Sequence, residues 1–234
     1  MQHKFESDMT RKEKRQAEIE KIKALSWKDR IIHMYSYHKI IVFSPILLAI
    51  AIVTLTSMIQ NARQQEVLNI AVSMGASHGE RLDQIEELRQ SLGIENPYAL
   101  VRMDGSYFFD NMNDVNVIQK FVVKVAAAAI DVFIAERVVY AHYHRADFFK
   151  PLEELFSPQE LAQLTIINDD GIDMSAYTDV LEYYFGIQHS PVFLTVIGSV
   201  DLEQTSLGTY RRLDTIRAFV FHLTGITPDP AFHR

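Results

Sequence analysis

The stretch IDVFIAERVVYAHYHRADFF, residues 130–149, decides the fold of the C-terminal part of this chain. Its run DVFIA is almost continuously apolar and has the length of a β-strand, a pattern typical of a strand that is buried on both faces of a parallel sheet. The following residues RVVYAHYH tolerate a helix. A strand that feeds a helix is the repeating unit of an α/β domain.

The rest of residues 61–234 repeats this alternation. Strands are predicted at 67–75, 98–104, 131–136 and 191–200. Helices are predicted to start at the capping residues Ser77, Asp114 and Ser157, and a last helix is predicted over 209–225. This order predicts an α/β fold with a mainly parallel sheet and flanking helices.

Before this domain, residues 40–59 read IIVFSPILLAIAIVTLTSMI and carry no charge. At ~1.5 Å per residue a helix of this length crosses the ~30 Å hydrocarbon core of a bilayer. A buried core helix would usually keep a polar face, and a cleaved signal peptide would have a shorter basic region and a small-residue cleavage site. We therefore predict one transmembrane helix at 40–60, with the lipid bilayer as its partner.

The charges around the predicted span set its orientation. Residues 1–39 hold ten Lys/Arg against six Asp/Glu, a net charge of +4, and include a basic helix over 11–25. The twenty residues after the span hold a single Lys/Arg residue, Arg63. The positive-inside rule then predicts a single-pass protein of the cell membrane, with residues 1–39 cytoplasmic and residues 61–234 outside.

Composition narrows the function of the outer part. Residues 40–234 hold thirteen Lys/Arg and twenty-four Asp/Glu, a net charge of −11, which argues against binding of nucleic acid. The chain has no cysteine, so disulfides, zinc thiolate sites and cysteine nucleophiles are excluded. No cofactor motif is found, since neither G-x-G-x-x-G nor a P-loop occurs.

Several segments resemble a group of uncharacterised single-pass membrane proteins of Gram-positive bacteria. They are LSWKDRIIHMYSYHKIIV (25–42) before the span, LNIAVSMG (68–75) as first strand, AAAAIDVFIAERVVYAHY (126–143), GIDMS (171–175) and PVFLTVIG (191–198). The resemblance implies an outer domain with a reduced form of the type 2 periplasmic-binding-protein fold, and hence the binding of a solute.

The candidate binding residues follow the ends of the predicted strands. They are Ser73, Gly75 and Ser77 after the first strand, Asp104 after the second and Glu136 after the third. Carboxyl ends of parallel strands meet at one edge of a sheet, where ligands bind in open α/β proteins. An anionic rim beside a helix N-terminus suits a small zwitterionic or polyhydroxylated ligand.

Two features invite a catalytic or metal reading. His142 and His144 are two residues apart, so on a helix they point ~200° apart and cannot share a metal, which favours surface histidines. The turn NDDGID (168–173) lacks the spacing of a calcium loop, which favours an acidic surface turn. We therefore assign no catalytic residue and no metal ligand.

Three functions stay open at this point. The sequence favours a non-catalytic extracytoplasmic module that binds a small polar ligand or a membrane protein partner. The alternatives are an extracytoplasmic hydrolase that uses Asp, Glu and His at the sheet edge, and a structural subunit that docks on another membrane protein.

Overall fold

The computed structural model describes residues 10–30, 39–73, 81–109, 114–188, 191–230 and 232. The chain divides into two compact units, Met1–Ala62 and Arg63–Arg234.

Within its described residues the first unit contains two long helices and a further helical segment over residues 27–30. Helix α1 (Arg11–Ala24) begins with a capping box in which the Thr10 hydroxyl accepts a hydrogen bond from the Glu13 amide and the Glu13 carboxylate accepts one from the Thr10 amide. Helix α2 (Lys39–Arg63) includes the apolar stretch Phe43–Arg63, which is long and apolar enough to cross a membrane. The predicted helix is confirmed, whereas its passage through a membrane and its orientation stay predictions.

The second unit is built from eight strands and six helices in its described residues. The strands are β1 (Gln65–Ser73), β2 (Ala99–Tyr107), β3 (Val132–Glu136), β4 (Ile166–Ile167), β5 (Gly171–Asp173), β6 (Val192–Val196), β7 (Thr205–Ser206) and β8 (Tyr210–Arg211). The helices are α3 (Leu82–Ser91), α4 (Val115–Ala126), α5 (Arg137–His144), α6 (Pro158–Leu161), α7 (Thr178–Phe185) and α8 (Arg212–Thr224), with a 3-10 turn at Leu152–Glu154.

The main sheet has six strands in the order β2-β1-β3-β6-β5-β4, and β7 and β8 form a separate hairpin. Strand β1 pairs in parallel with β2 and β3, but the pairs β3–β6, β6–β5 and β5–β4 are antiparallel. The α/β class is confirmed, and the prediction of a mainly parallel sheet is wrong. The sequence pattern misleads here because a strand buried on both faces is apolar throughout, whichever way it runs.

Strand β3 lies inside this sheet, between β1 and β6. Four of its five residues, from Val132 to Ala135, are fully buried, and in register Ile134 lies beside Val72 of β1 and Leu194 of β6. The opening stretch is therefore a central strand followed directly by helix α5, as predicted.

Helices cover both faces of the sheet. Strands β2 and β3 flank β1 on opposite sides, so right-handed crossovers place α3 and α4 on opposite faces. On the α4 face, Phe121 of α4 packs against Phe133 of β3 and Tyr143 of α5, at centroid distances of 4.6 and 4.7 Å. On the other face α3, α7 and α8 pack together, with Phe185 and Phe219 6.2 Å apart.

Local capping signals fix some of the helix ends in this unit. The Asp114 carboxylate accepts hydrogen bonds from the amides of Asn116 and Val117 at the start of α4, and Ser157 and Glu160 form the predicted capping box at the start of α6. Gly225 ends α8 in the left-handed conformation, with φ of 68°. The Ser77 box lies outside the described residues.

Candidate functional site

Three of the five predicted binding residues, Ser73, Asp104 and Glu136, lie in the described part of the structure. Ser73 ends β1 and Glu136 ends β3, so these two lie at the carboxyl edge of adjacent parallel strands. The crossovers after β1 and β3 diverge there, which makes this edge the topological switch point of the sheet. Gly75 and Ser77 lie outside the described residues.

The placement of Asp104 at a strand end is wrong. Strand β2 continues to Tyr107, and Asp104 pairs in register with Ala71, two residues before the end of β1. Strand β2 stays paired with β1 beyond this point, and Tyr107 lies in register with Ser73. The Asp104 carboxylate lies 3.1 Å from Lys120 Nζ and 3.0 Å from Lys124 Nζ, both on α4, and accepts a hydrogen bond from the Ser106 amide at 3.1 Å.

Asp104 instead lines a groove on the α4 face of the sheet, with a cavity volume of about 630 Å³. Strands β1 and β2 form its floor, and the end of α4 with Ala129 and Ile130 forms one wall. Its polar lining consists of Glu66, Asn69, Arg102, Asp104, Tyr107 and Lys124. Cavities of roughly 300–1,000 Å³ are the usual size for small-molecule sites.

Acids and bases alternate along this groove. Arg102 Nε lies 2.8 Å from Glu66 Oε1, and Lys124 pairs with Asp104 as described above. Burial raises the pKa of Asp104, but hydrogen bonds from Ser106, Lys124 and Lys120 outweigh this effect and hold the pKa well below its usual range. The groove therefore presents fixed charges of both signs at neutral pH.

One buried polar group of the groove-lining residues lacks a partner within the described part of the chain. The Tyr107 hydroxyl is fully buried and makes no hydrogen bond. Burial raises the pKa of Tyr107, and the nearby Asp104 carboxylate raises it further, although the two groups do not meet the geometry of a hydrogen bond. Leaving such a group unpaired costs about 1–3 kcal/mol, so the hydroxyl is suited to a partner from a ligand or from bound water.

A second polar cluster lies between α5 and the turn that joins β4 to β5. Nδ1 of His144 is 2.7 Å from Oδ2 of the buried Asp170, and the Tyr140 hydroxyl donates to Oδ1 of Asp170 at 2.7 Å. His142 is exposed as predicted, whereas His144 is half-buried and contacts Asp170, a contact that the sequence analysis did not predict. A Cβ on Gly171 would lie 2.8 Å from the Tyr140 hydroxyl, so glycine permits this close packing.

The sequence contained partial signals for both places. Lys120 and Lys124 are one helical turn apart on the helix after β2 and carry charges that match an acid within an apolar strand. His144 and Asp170 are 26 residues apart, and only the antiparallel return of the chain brings them together. Compared with protein-family models, curated proteins and solved structures, the chain matches none of them.

Proposed function

We propose that the chain is a membrane-anchored binding module whose outer domain takes up a small polar ligand in the groove between β1, β2 and α4. The observation that carries this proposal is Tyr107, a groove-lining residue whose buried hydroxyl has no hydrogen-bond partner among the described residues. A ligand oxygen or nitrogen would supply that partner. The resemblance to reduced solute-binding proteins points in the same direction.

The charges of the groove define the class of ligand. A ligand with both an ammonium and a carboxylate matches a lining that holds Glu66 and Asp104 beside Arg102 and Lys124. A polyanion would be repelled by the two acids, and an uncharged apolar molecule would leave four charges desolvated. We therefore expect a zwitterion of amino-acid size, with a polyol as the next best fit.

The lining also favours binding over hydrolysis. No histidine lines the groove within the described residues, and both of its acids are paired with bases, so no general base is available there. The pair of His144 and Asp170 is the feature that a hydrolase would use, but neither residue lines this groove.

The ligand class can be tested with the full chain in detergent micelles by thermal shift and titration calorimetry against L-amino acids, betaines and polyols. Arg102, whose side chain is 60% exposed, is replaced in Arg102→Gln, which should cost no more than ~1 kcal/mol of stability because it removes only an exposed ion pair. We expect affinity for the zwitterion to fall by about ten- to a hundredfold, the value of a charged hydrogen bond. Arg145→Gln, an exposed arginine outside the groove, is the control and should bind as wild type. Equal binding by wild type and Arg102→Gln would refute the assignment.

The anchor is tested by topology. If α2 crosses the membrane with residues 1–39 inside, protease added to intact cells should digest an epitope tag at the C-terminus and spare one at the N-terminus. Leu48→Arg, which places a charge near the centre of the span, should reduce insertion by ~2.5–3.5 kcal/mol on the translocon scale. Digestion of the N-terminal tag in intact cells would reverse the orientation.

A further inference from the structure

We infer that His144, Asp169 and Asp170 form a binding site for one divalent transition-metal ion, for which Zn²⁺ is the probe. One ligand atom from each of the three side chains lies within 4.8 Å of the others. The site belongs to the cluster between α5 and the β4–β5 turn and is separate from the proposed ligand groove.

The spacing of the ligand atoms suits a metal. In a tetrahedral site with bonds of ~2.0–2.1 Å, neighbouring ligand atoms lie roughly 3.3 Å apart. His144 Nδ1 and Asp170 Oδ2 are 2.7 Å apart. The two atoms therefore need to move only slightly further apart for both to coordinate one ion. Asp169 is exposed, so a change of rotamer can bring its carboxylate to the ion and complete the set.

The charge of the cluster also favours a cation. Asp170 is only 5% exposed, and Asp169 follows directly before it in the chain. No lysine or arginine in the described ranges forms an ion pair with either aspartate, and the one basic partner of Asp170 is His144. Two adjacent carboxylates, one of them buried, are costly without a positive charge, which a divalent ion provides.

The residues behind Asp170 hold it in the orientation that a ligand needs. Tyr140 donates to Oδ1, which leaves Oδ2 directed to His144, and Asn168 Nδ2 donates in turn to the Tyr140 hydroxyl at 2.9 Å. Such outer hydrogen bonds orient carboxylate ligands in metal sites. Binding at Nδ1 of His144 places its ring proton on Nε2, on a side chain that is 32% exposed to water.

The ligand set selects the kind of metal. Imidazole is a poor ligand for Ca²⁺ and Mg²⁺, which prefer oxygen alone, and a good one for Zn²⁺ and its neighbours. Three protein ligands leave a fourth position for water or for a group from a partner molecule.

The test titrates ZnCl2 by calorimetry into the full chain in detergent, after removal of metal with EDTA. Wild type should bind one equivalent at this site, and both His144→Ala and Asp169→Asn should lose more than about tenfold in affinity for it. Asp169→Asn changes an exposed side chain, so its melting temperature without metal should equal that of wild type. His142→Ala, which removes an exposed histidine from the same helix, is the matched control and should bind like wild type.

Three results would overturn the inference. The first is that wild type binds no Zn²⁺. The second is that one equivalent of Zn²⁺ binds with unchanged affinity to His144→Ala and Asp169→Asn. The third is that the site binds Ca²⁺ more tightly than Zn²⁺.

Discussion

Ile134→Asp is expected to unfold the outer domain. Ile134 is fully buried in β3, with Val72 of β1 and Leu194 of β6 as its register neighbours. A carboxylate at this position has no base to pair with on the neighbouring strands, and burying such a group costs several kcal/mol, comparable with the whole stability of a domain.

The measurement is circular dichroism with thermal melting of the full chain in detergent. Val138→Asp is the control, because Val138 lies four residues further on, is apolar and is 65% exposed. We expect this control to change the free energy of unfolding by less than ~0.5 kcal/mol. If Ile134→Asp melted at the wild-type temperature, DVFIA would not be a central strand.

The second large effect is expected from Glu160→Ala. The buried Glu160 carboxylate accepts hydrogen bonds from Arg217 Nη2 at 2.6 Å and from the amides of Ser157 and Asp229, both at 2.8 Å. Arg217 also donates to the Leu155 carbonyl, so α6, α8 and the C-terminal segment meet at this one pair. Removing the acid leaves a buried guanidinium uncompensated, at a cost of about 3–5 kcal/mol.

A double-mutant cycle separates the pair from the packing around it. Glu160→Ala combined with Arg217→Met should recover part of the loss, because no buried charge then stays unpaired. Glu153→Ala, an exposed acid in the preceding 3-10 turn, should change stability by less than ~0.5 kcal/mol. A loss from Glu160→Ala as small as that from Glu153→Ala would show that the pair does not hold these elements together.

The sequence predicts the elements of this fold better than their directions. The strand at 131–136, the Asp114 cap and the Ser157 capping box are local signals, and each is confirmed. The antiparallel entry of β6 and the two short strands β4 and β5 depend on where the chain returns after α5. An apolar run of two or three residues carries no such information.

The candidate site shows the same division. Ser73 and Glu136 could be placed at the carboxyl edge because each directly follows an apolar run. The groove could not be predicted, since it forms where two strands and one helix end leave space between them. Asp131, at the start of DVFIA, is a second feature that the sequence alone does not predict, because this acid is fully buried. Its carboxylate accepts a hydrogen bond from the backbone amide of Asn69 at 2.7 Å and lies 3.2 Å from Arg212 Nε without forming a hydrogen bond.

Asp131 also shows why a buried acid is compatible with a central strand. Burial raises its pKa to about 6, against the opposing effects of Arg212 and the Asn69 amide. A charged group within an apolar strand therefore indicates a partner from elsewhere in the chain, which for Asp131 lies at the start of α8.

The central claim, that the groove under α4 holds a ligand, is tested most directly by Tyr107→Phe. This change removes only the buried hydroxyl that has no partner in the described structure. The ligand for this test is the L-amino acid, betaine or polyol that raises the melting temperature of wild type most. Calorimetry with it should show a loss of affinity of roughly two- to tenfold, the value of a neutral hydrogen bond. The melting temperature without ligand should stay equal or rise, because an unpaired polar group is no longer buried.

Tyr143→Phe, which removes another buried unpartnered hydroxyl outside the groove lining, should leave the affinity unchanged. Wild-type affinity together with a lower melting temperature in Tyr107→Phe would contradict the account.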